Sequence, residues 1–217
     1  MTLIAQARLG LHDPHDCTDA NDELTVLHAI YDTLVKRDGQ GFVPALARTW
    51  EVSEDATVWT FTLQPNVTFH DGTPCDAEAV AASVNRMARE DKGYTLGAPA
   101  VWRQFLGGAK LKVLTPTRLR VTLTAPMADL LDVLEQGFIV APSAFAALDA
   151  GDYSVQIGSG SYRVTEMTPE RISAVRVAGH FSGSPANETV TWLLEADAAK
   201  RQAMLAEGRV QVANGLD

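Results

Sequence analysis

A mixed α/β fold is the class this sequence predicts, and three observations predict it. Stretches with apolar residues at helical spacing are interleaved with stretches in which apolar and polar residues alternate. The alternating stretches come mostly in pairs divided by a short turn, which marks antiparallel hairpins rather than a repeated βαβ unit. With 217 residues, 46% hydrophobic and 21% charged, the chain can bury one large core or two small ones.

The elements follow in chain order. Residues 3–9 alternate weakly and read as a strand; a polar loop runs from His12 to Asp22. Over 23–35 the apolar positions 24, 27, 30, 31 and 34 have helical spacing, and Asn21 or Asp22 can cap the start. After the turn Asp38-Gly39-Gln40-Gly41, Trp50–Val52 and Thr57–Leu63 form a hairpin, with Trp59, Phe61 and Leu63 on its buried face. Pro65-Asn66 is a turn and Phe69–Pro74 a compact loop. Asp76 caps a helix over 77–89 that carries Val80, Val84 and Met87 on one side. A loop over 90–97 and a short helix over 100–106, ended by Gly107-Gly108, come next. A second hairpin pairs 109–114 with 118–123. Then come a short helix at 128–134, a buried strand over 138–142 stopped by Pro142, and a helix over 142–148. Strands at 162–167 and 172–177 pair; a strand at 190–195, a helix at 198–207 ended by Gly208 and a strand at 210–213 complete the chain.

Charge and motif counts narrow the function. A formal net charge of −9 repels nucleic acid and anionic lipid, so neither is an expected partner. No apolar run approaches the roughly 20 residues of a membrane helix. The first residues lack a basic segment followed by an apolar one, so the chain reads as cytosolic or as a mature form whose leader was replaced by a start codon. Cys17 and Cys75 are expected as thiols, because two distant cysteines carry no framework spacing. His12, Asp13, His15, Asp16 and Cys17 show no tight ligand spacing and read as a solvated loop; no metal and no cofactor are expected. His70-Asp71-Gly72 reads as a structural turn with His70 bonded locally. Gly158-Ser159-Gly160 lacks the G-x-S-x-G form of a nucleophile elbow, which leaves a hydrolase the weakest reading. Trp50, Trp59, Phe61 and Phe69 are expected in the core.

The stretch from Pro44 to Met87 carries a specific ordered pattern: Leu46-Ala47 and Trp50, then Trp59-Thr60-Phe61-Thr62-Leu63, then Phe69-His70-Asp71-Gly72-Thr73-Pro74, then Ala77-Glu78-Ala79-Val80. It resembles the signature of extracellular solute-binding protein family 5, whose members serve oligopeptide, dipeptide and nickel import. Tyr31-Asp32-Thr33-Leu34-Val35 resembles the family's tyrosine-acid-x-leucine-valine helix, Gly158–Tyr162 its glycine-rich crossing strand, and Arg201–Val212 its helix-glycine-strand unit. Gln64, Ala79, Ser161 and Gln211 depart from the usual residues and spare the apolar pattern.

The resemblance implies a lobe of the class II periplasmic-binding-protein-like kind. Residues 1–45 and 152–217 would form parts of a discontinuous first ligand-binding lobe, with 46–151 an inserted smaller α+β domain. A second lobe would lie outside this chain. Implied too are a small-molecule or peptide ligand, ABC permease partners, a monomeric state, no catalysis, and a periplasmic or extracellular location with a lipid anchor upstream as one route to the membrane. The alternative is the ligand-sensing module of a cytosolic transcription regulator. The ligand-binding residues implied are Asp16, Thr18, Asp19 and Asn21 after the first strand, Trp102 where nickel-type members place an aromatic, and Gly160 and Tyr162 on the crossing strand.

Overall fold

The structure, a computed structural model, describes residues 1–17, 21–93 and 100–216, with Asn21 described in its backbone alone. It begins with β1 (Thr2–Gln6), a 3₁₀ turn at Pro14–Asp16 and α1 (Asn21–Ile30). A hairpin, β2 (Val35–Asp38) and β3 (Gly41–Pro44), follows. Next come β4 (Ala47–Val52), β5 (Val58–Leu63), α2 (Ala77–Met87), α3 (Val101–Leu106), β6 (Lys110–Thr115), β7 (Arg118–Thr122) and α4 (Leu130–Leu134). After α5 (Phe145–Asp149) the chain runs through β8 (Tyr162–Thr168), β9 (Arg171–Arg176), β10 (Thr189–Leu194), α6 (Ala198–Ala206) and β11 (Val212–Ala213). Among the described residues, no helix is long and apolar enough to cross a membrane.

The main sheets belong to different parts of the chain. One is antiparallel with order β4-β5-β7-β6; the other has order β11-β1-β10-β9-β8, with β1 parallel to β10 and β11. Each has its own apolar core. Trp59, Phe61 and Leu63 point as the period-two pattern predicts, and pack with Leu119 and Val121 against Val80, Val84 and Met87 of α2. Asp76 caps α2 as expected, its carboxylate accepting the Glu78 and Ala79 amides. Val26, Leu27 and Ile30 of α1 pack with Ile172, Ala174, Val190 and Trp192 of the five-stranded sheet in the second core.

Two differences from the sequence reading have clear causes. α1 stops at Ile30 instead of running to residue 35, because its last carbonyls have other partners. The Ile30 carbonyl accepts the Gly160 amide at 2.8 Å, and the Asp32 carbonyl accepts the Ile139 amide at 2.9 Å. The apolar period continued past the end because Tyr31 enters one core and Leu34 the other. Likewise the segment 138–142 is buried and extended but is no strand of a ladder. Its amides go to three separate places: Ile139 to Asp32, Val140 to the Ser83 hydroxyl and Ala141 to Ile157. Its side chains still alternate, Phe138 and Val140 into one core, Ile139 and Ala141 into the other.

Candidate functional site

In α/β sheets, ligands bind beyond the carboxyl ends of parallel strands, where the chain can splay into loops. Here β1, β10 and β11 end together, and the register Leu193–Arg171 places the turn between β8 and β9 at the same end. Buried Gln6 organises this rim. Its amide donates to the Arg8 and Asp22 carbonyls, and its side-chain oxygen accepts from Thr25 Oγ1 at 3.1 Å. Arg201 does the same on the far side, its guanidinium donating to the carbonyls of Glu195, Ala196, Asn214 and Gly215. Between the loop after β1 and the β8–β9 turn lies an open, mostly apolar cleft of about 280 Å³, lined by Leu9, Gly10, Leu11, Met167, Pro169 and Ile172 among others.

Beneath the outer half of that loop sits a buried ion network. Asp13, 1% exposed, accepts from Arg86 Nη1 at 3.0 Å and Lys92 Nζ at 2.8 Å, and caps the 3₁₀ turn through the His15 amide. Arg86 continues to Asp149 at 2.7 Å. Burial alone would raise the Asp13 carboxyl, but the hydrogen bonds from Arg86 and Lys92 overcome it and hold the group well below the usual carboxylate range. Asp149 is drawn down to about 2: the hydrogen bonds of Arg89 and Arg86 outweigh the raising effect of burial. His15 is fully buried, and burial pushes it down to about 4. Its tautomer follows from its partners. A guanidinium only donates, so Nδ1, 2.9 Å from Arg86 Nη1, must accept, and the proton sits on Nε2, which donates to the Phe138 carbonyl at 3.0 Å. The polar loop is therefore not solvated at Asp13 and His15, because α2 supplies a cation that the local sequence cannot reveal.

The implied ligand residues scatter. Asp16 is half-buried and accepts the Gly93 amide at 2.8 Å. Thr18 and Asp19 lie outside the described residues, and the backbone of Asn21 opens α1. Trp102 is 3% exposed and its indole N–H donates to the His15 carbonyl at 2.7 Å, so it supports the loop from within and offers no face to a ligand. Gly160 and Tyr162 lie at the opposite end of the sheet from the cleft. Gly160 is pressed so close to α1 that an added Cβ would stand 2.5 Å from the Ile30 carbonyl carbon. Tyr162 is buried and donates its hydroxyl to the Asn187 carbonyl at 2.9 Å.

His70 is not bonded locally: its Nε2 meets the Gly160 carbonyl at 2.9 Å, ninety positions away. The sequence reading missed Arg86, Lys92 and Asp149 altogether; for Arg86 the signal was a charge on the otherwise apolar buried side of α2. It also missed Asp32, whose Oδ2 lies 3.0 Å from His180 Nε2, while His180 Nδ1 lies 2.8 Å from Ser182 Oγ. That order resembles a hydrolase triad. However, the Ser182 amide also points at Nδ1, at 3.3 Å, as in a local two-residue turn, and Ser182 lines neither this cleft nor the one of about 430 Å³ beside His70 and Arg163.

Comparison with known proteins gives these features a setting. The chain is 29% identical over 211 residues to the glutathione-binding protein GsiB of Salmonella paratyphi A, and 30% over 220 residues to the probable D,D-dipeptide-binding periplasmic protein DdpA of Escherichia coli. These alignments cover 93% and 94% of the chain but 39% and 41% of the relatives, so it spans about two fifths of their length. The solved structure of AgaA from A. tumefaciens R10, in complex with agropinic acid, superposes with a TM-score of 0.84 at 25% identity, over 96% of this chain and 42% of that one. Residues 41–217 match the middle region of the bacterial extracellular solute-binding proteins, family 5, and the chain belongs to that family.

Proposed function

We propose that this chain supplies one wall of a ligand trap, in a substrate-binding protein that captures an oligopeptide or similar small solute and delivers it to the permease of an ABC importer. The observation that carries the reading is the open apolar cleft at the carboxyl ends of the parallel strands of a family 5 chain. Open and lined from one side, it cannot enclose the roughly 70–90% of ligand surface that tight sites bury. A second lobe closing over it would complete the enclosure by a hinge motion driven by tighter binding to the closed state. The relatives that bind glutathione and, in the probable case, D,D-dipeptides favour a peptide-like ligand held in extended form.

The two cores favour a division of this kind, a discontinuous unit of 1–45 with 152–217 and an inserted one of 46–151, with Leu34 and Val35 crossing into the inserted unit's core and Phe138, Val140, Ala144 and Leu148 into the other. The family transports solutes, so the ligand leaves chemically unchanged, and the relatives give the transcription-regulator alternative no support. A periplasmic or extracellular location, a monomeric state and permease partners belong to the same proposal.

A thermal-shift screen tests it, using the chain joined to the remaining lobe of its parent protein, against glutathione, D,D-dipeptides, short peptides and opines. A ligand at 100 times its Kd stabilises the protein that binds it by about 2.7 kcal/mol, a readily measured rise in Tm. A panel without one stabilising compound, or product formed from any of them, sinks the reading.

A further inference from the structure

The loop that carries the cleft also gathers three groups of different chemistry. His12 and Cys17 come from the loop and Glu23 from the first turn of α1, and one ligand atom of each lies within 4.8 Å of the others. We propose that His12, Cys17 and Glu23 form a binding site for a borderline divalent transition ion, Zn²⁺ foremost. The inference goes beyond transport and does not depend on it.

The donor set is the first argument. One imidazole nitrogen, one sulfur and one carboxylate oxygen suit Zn²⁺ and its neighbours better than the all-oxygen ions Ca²⁺ or Mg²⁺. Spacing is the second. Tetrahedral bonds of about 2.0–2.3 Å imply roughly 3.5 Å between ligand atoms. His12 Nδ1 already stands 3.1 Å from Glu23 Oε2. What remains is a shift of about an ångström, which the His12 ring, 63% exposed and edge-on to Tyr153, can make at the rim of the loop. Third, the site is anchored. The other Glu23 oxygen accepts the His12 amide at 2.5 Å, and Cys17 and Glu23 are both buried, so two of three donors are held before any ion arrives.

The electrostatics agree. Burial first, then Glu23, Asp16 and Asp13, push the Cys17 thiol up, so without an ion it is protonated; the same negative surroundings attract a cation. Binding breaks the S–H bond, forms a sulfur–metal bond and releases that one proton to water. Asp13, His15 and Asp16, the other candidate donors of the loop, are engaged by Arg86, the Phe138 carbonyl and the Gly93 amide. Glu23 lies beyond the stretch whose spacing reads as ligand-free, which is why the group is hidden in the sequence.

The test is titration of the reduced, chelator-treated chain with Zn²⁺ by calorimetry and with Co²⁺ by absorbance. Expected are one ion per chain, one proton released per ion, and a cobalt–thiolate charge-transfer band. His12→Ala alters an exposed side chain and leaves the fold intact by circular dichroism. It should weaken affinity by more than the roughly 10–100-fold that loss of an outer-shell partner costs. Cys17→Ser should abolish the band. If Cys17→Ser does not fold, the wild-type cobalt spectrum and His12→Ala decide the matter. No uptake by the wild type at micromolar free Zn²⁺, uptake that His12→Ala leaves unchanged, or a cobalt complex without the thiolate band overturns the site.

Discussion

At the scale of single residues, the most consequential group is the ion network of buried Asp13, Arg86 and Lys92 with the more exposed Asp149. Asp13 is held between Arg86 and Lys92, and both cations also reach Asp149, so each buried charge depends on its partners being present. Arg86→Met leaves the Asp13 carboxylate buried with Lys92 alone and should cost about 3–5 kcal/mol in urea denaturation. Adding Asp13→Asn to that variant removes the stranded charge and should recover a large part of the loss. Acid dependence follows from His15. The folded protein keeps it neutral down to about pH 4, whereas the unfolded chain protonates it near 6.5. Between those values the unfolded state holds the extra proton, so stability is full above pH 6.5 and falls as the pH drops toward 4, by about 3 kcal/mol. His28 and His70, also lowered first by burial, add in the same direction. His15→Gln should reduce the slope in this window without abolishing it; an unchanged slope would contradict the assignment. Below it, Asp13 and Asp149 lose their contribution as acid reaches their lowered values. None of this was legible in the sequence. His12 to Cys17 reads as a water-exposed loop because burial by α2 is a tertiary fact that local polarity does not encode.

At the scale of elements, periodicity and caps were legible wherever one face meets one core. The hairpin of β4 and β5, the stripe on α2 and its Asp76 cap all follow the pattern. Asp76→Ala should cost about 0.5–2 kcal/mol, read from the urea midpoint. Legibility failed where a segment serves two cores at once, as at Tyr31–Leu34 and Phe138–Ala141, since an apolar residue does not say which core it enters. The glycine cluster was legible as a special site, though for another reason than ligand contact. Gly158 and Gly160 let the chain cross the end of α1 at a separation no Cβ permits. Gly160→Ala should destabilise by at least the 1–3 kcal/mol typical of overpacking. Gly39→Ala, at a site with open space around the added carbon, should change stability little. Equal losses in the two variants would show that close approach is not the reason for the glycine.

At the scale of the whole molecule, the fold class and the family pattern were readable, because the motif from Pro44 to Met87 is long and ordered. The proposed cleft was not, since its rim is drawn from the loop after β1 and the β8–β9 turn, which the pairing of β1 with β10 and of β10 with β9 brings to one end of the sheet. An open wall has a measurable consequence: this chain alone should bind weakly or not at all a ligand that the two-lobed protein holds tightly, and calorimetry on both proteins checks it. The strip from Phe138 to Ala141 has another. By planting alternate side chains on either side, it threads a cable through both masses, as Tyr31–Leu34 does a second time. Neither can come apart without tearing the other's lining, so heating should give a single endotherm rather than two.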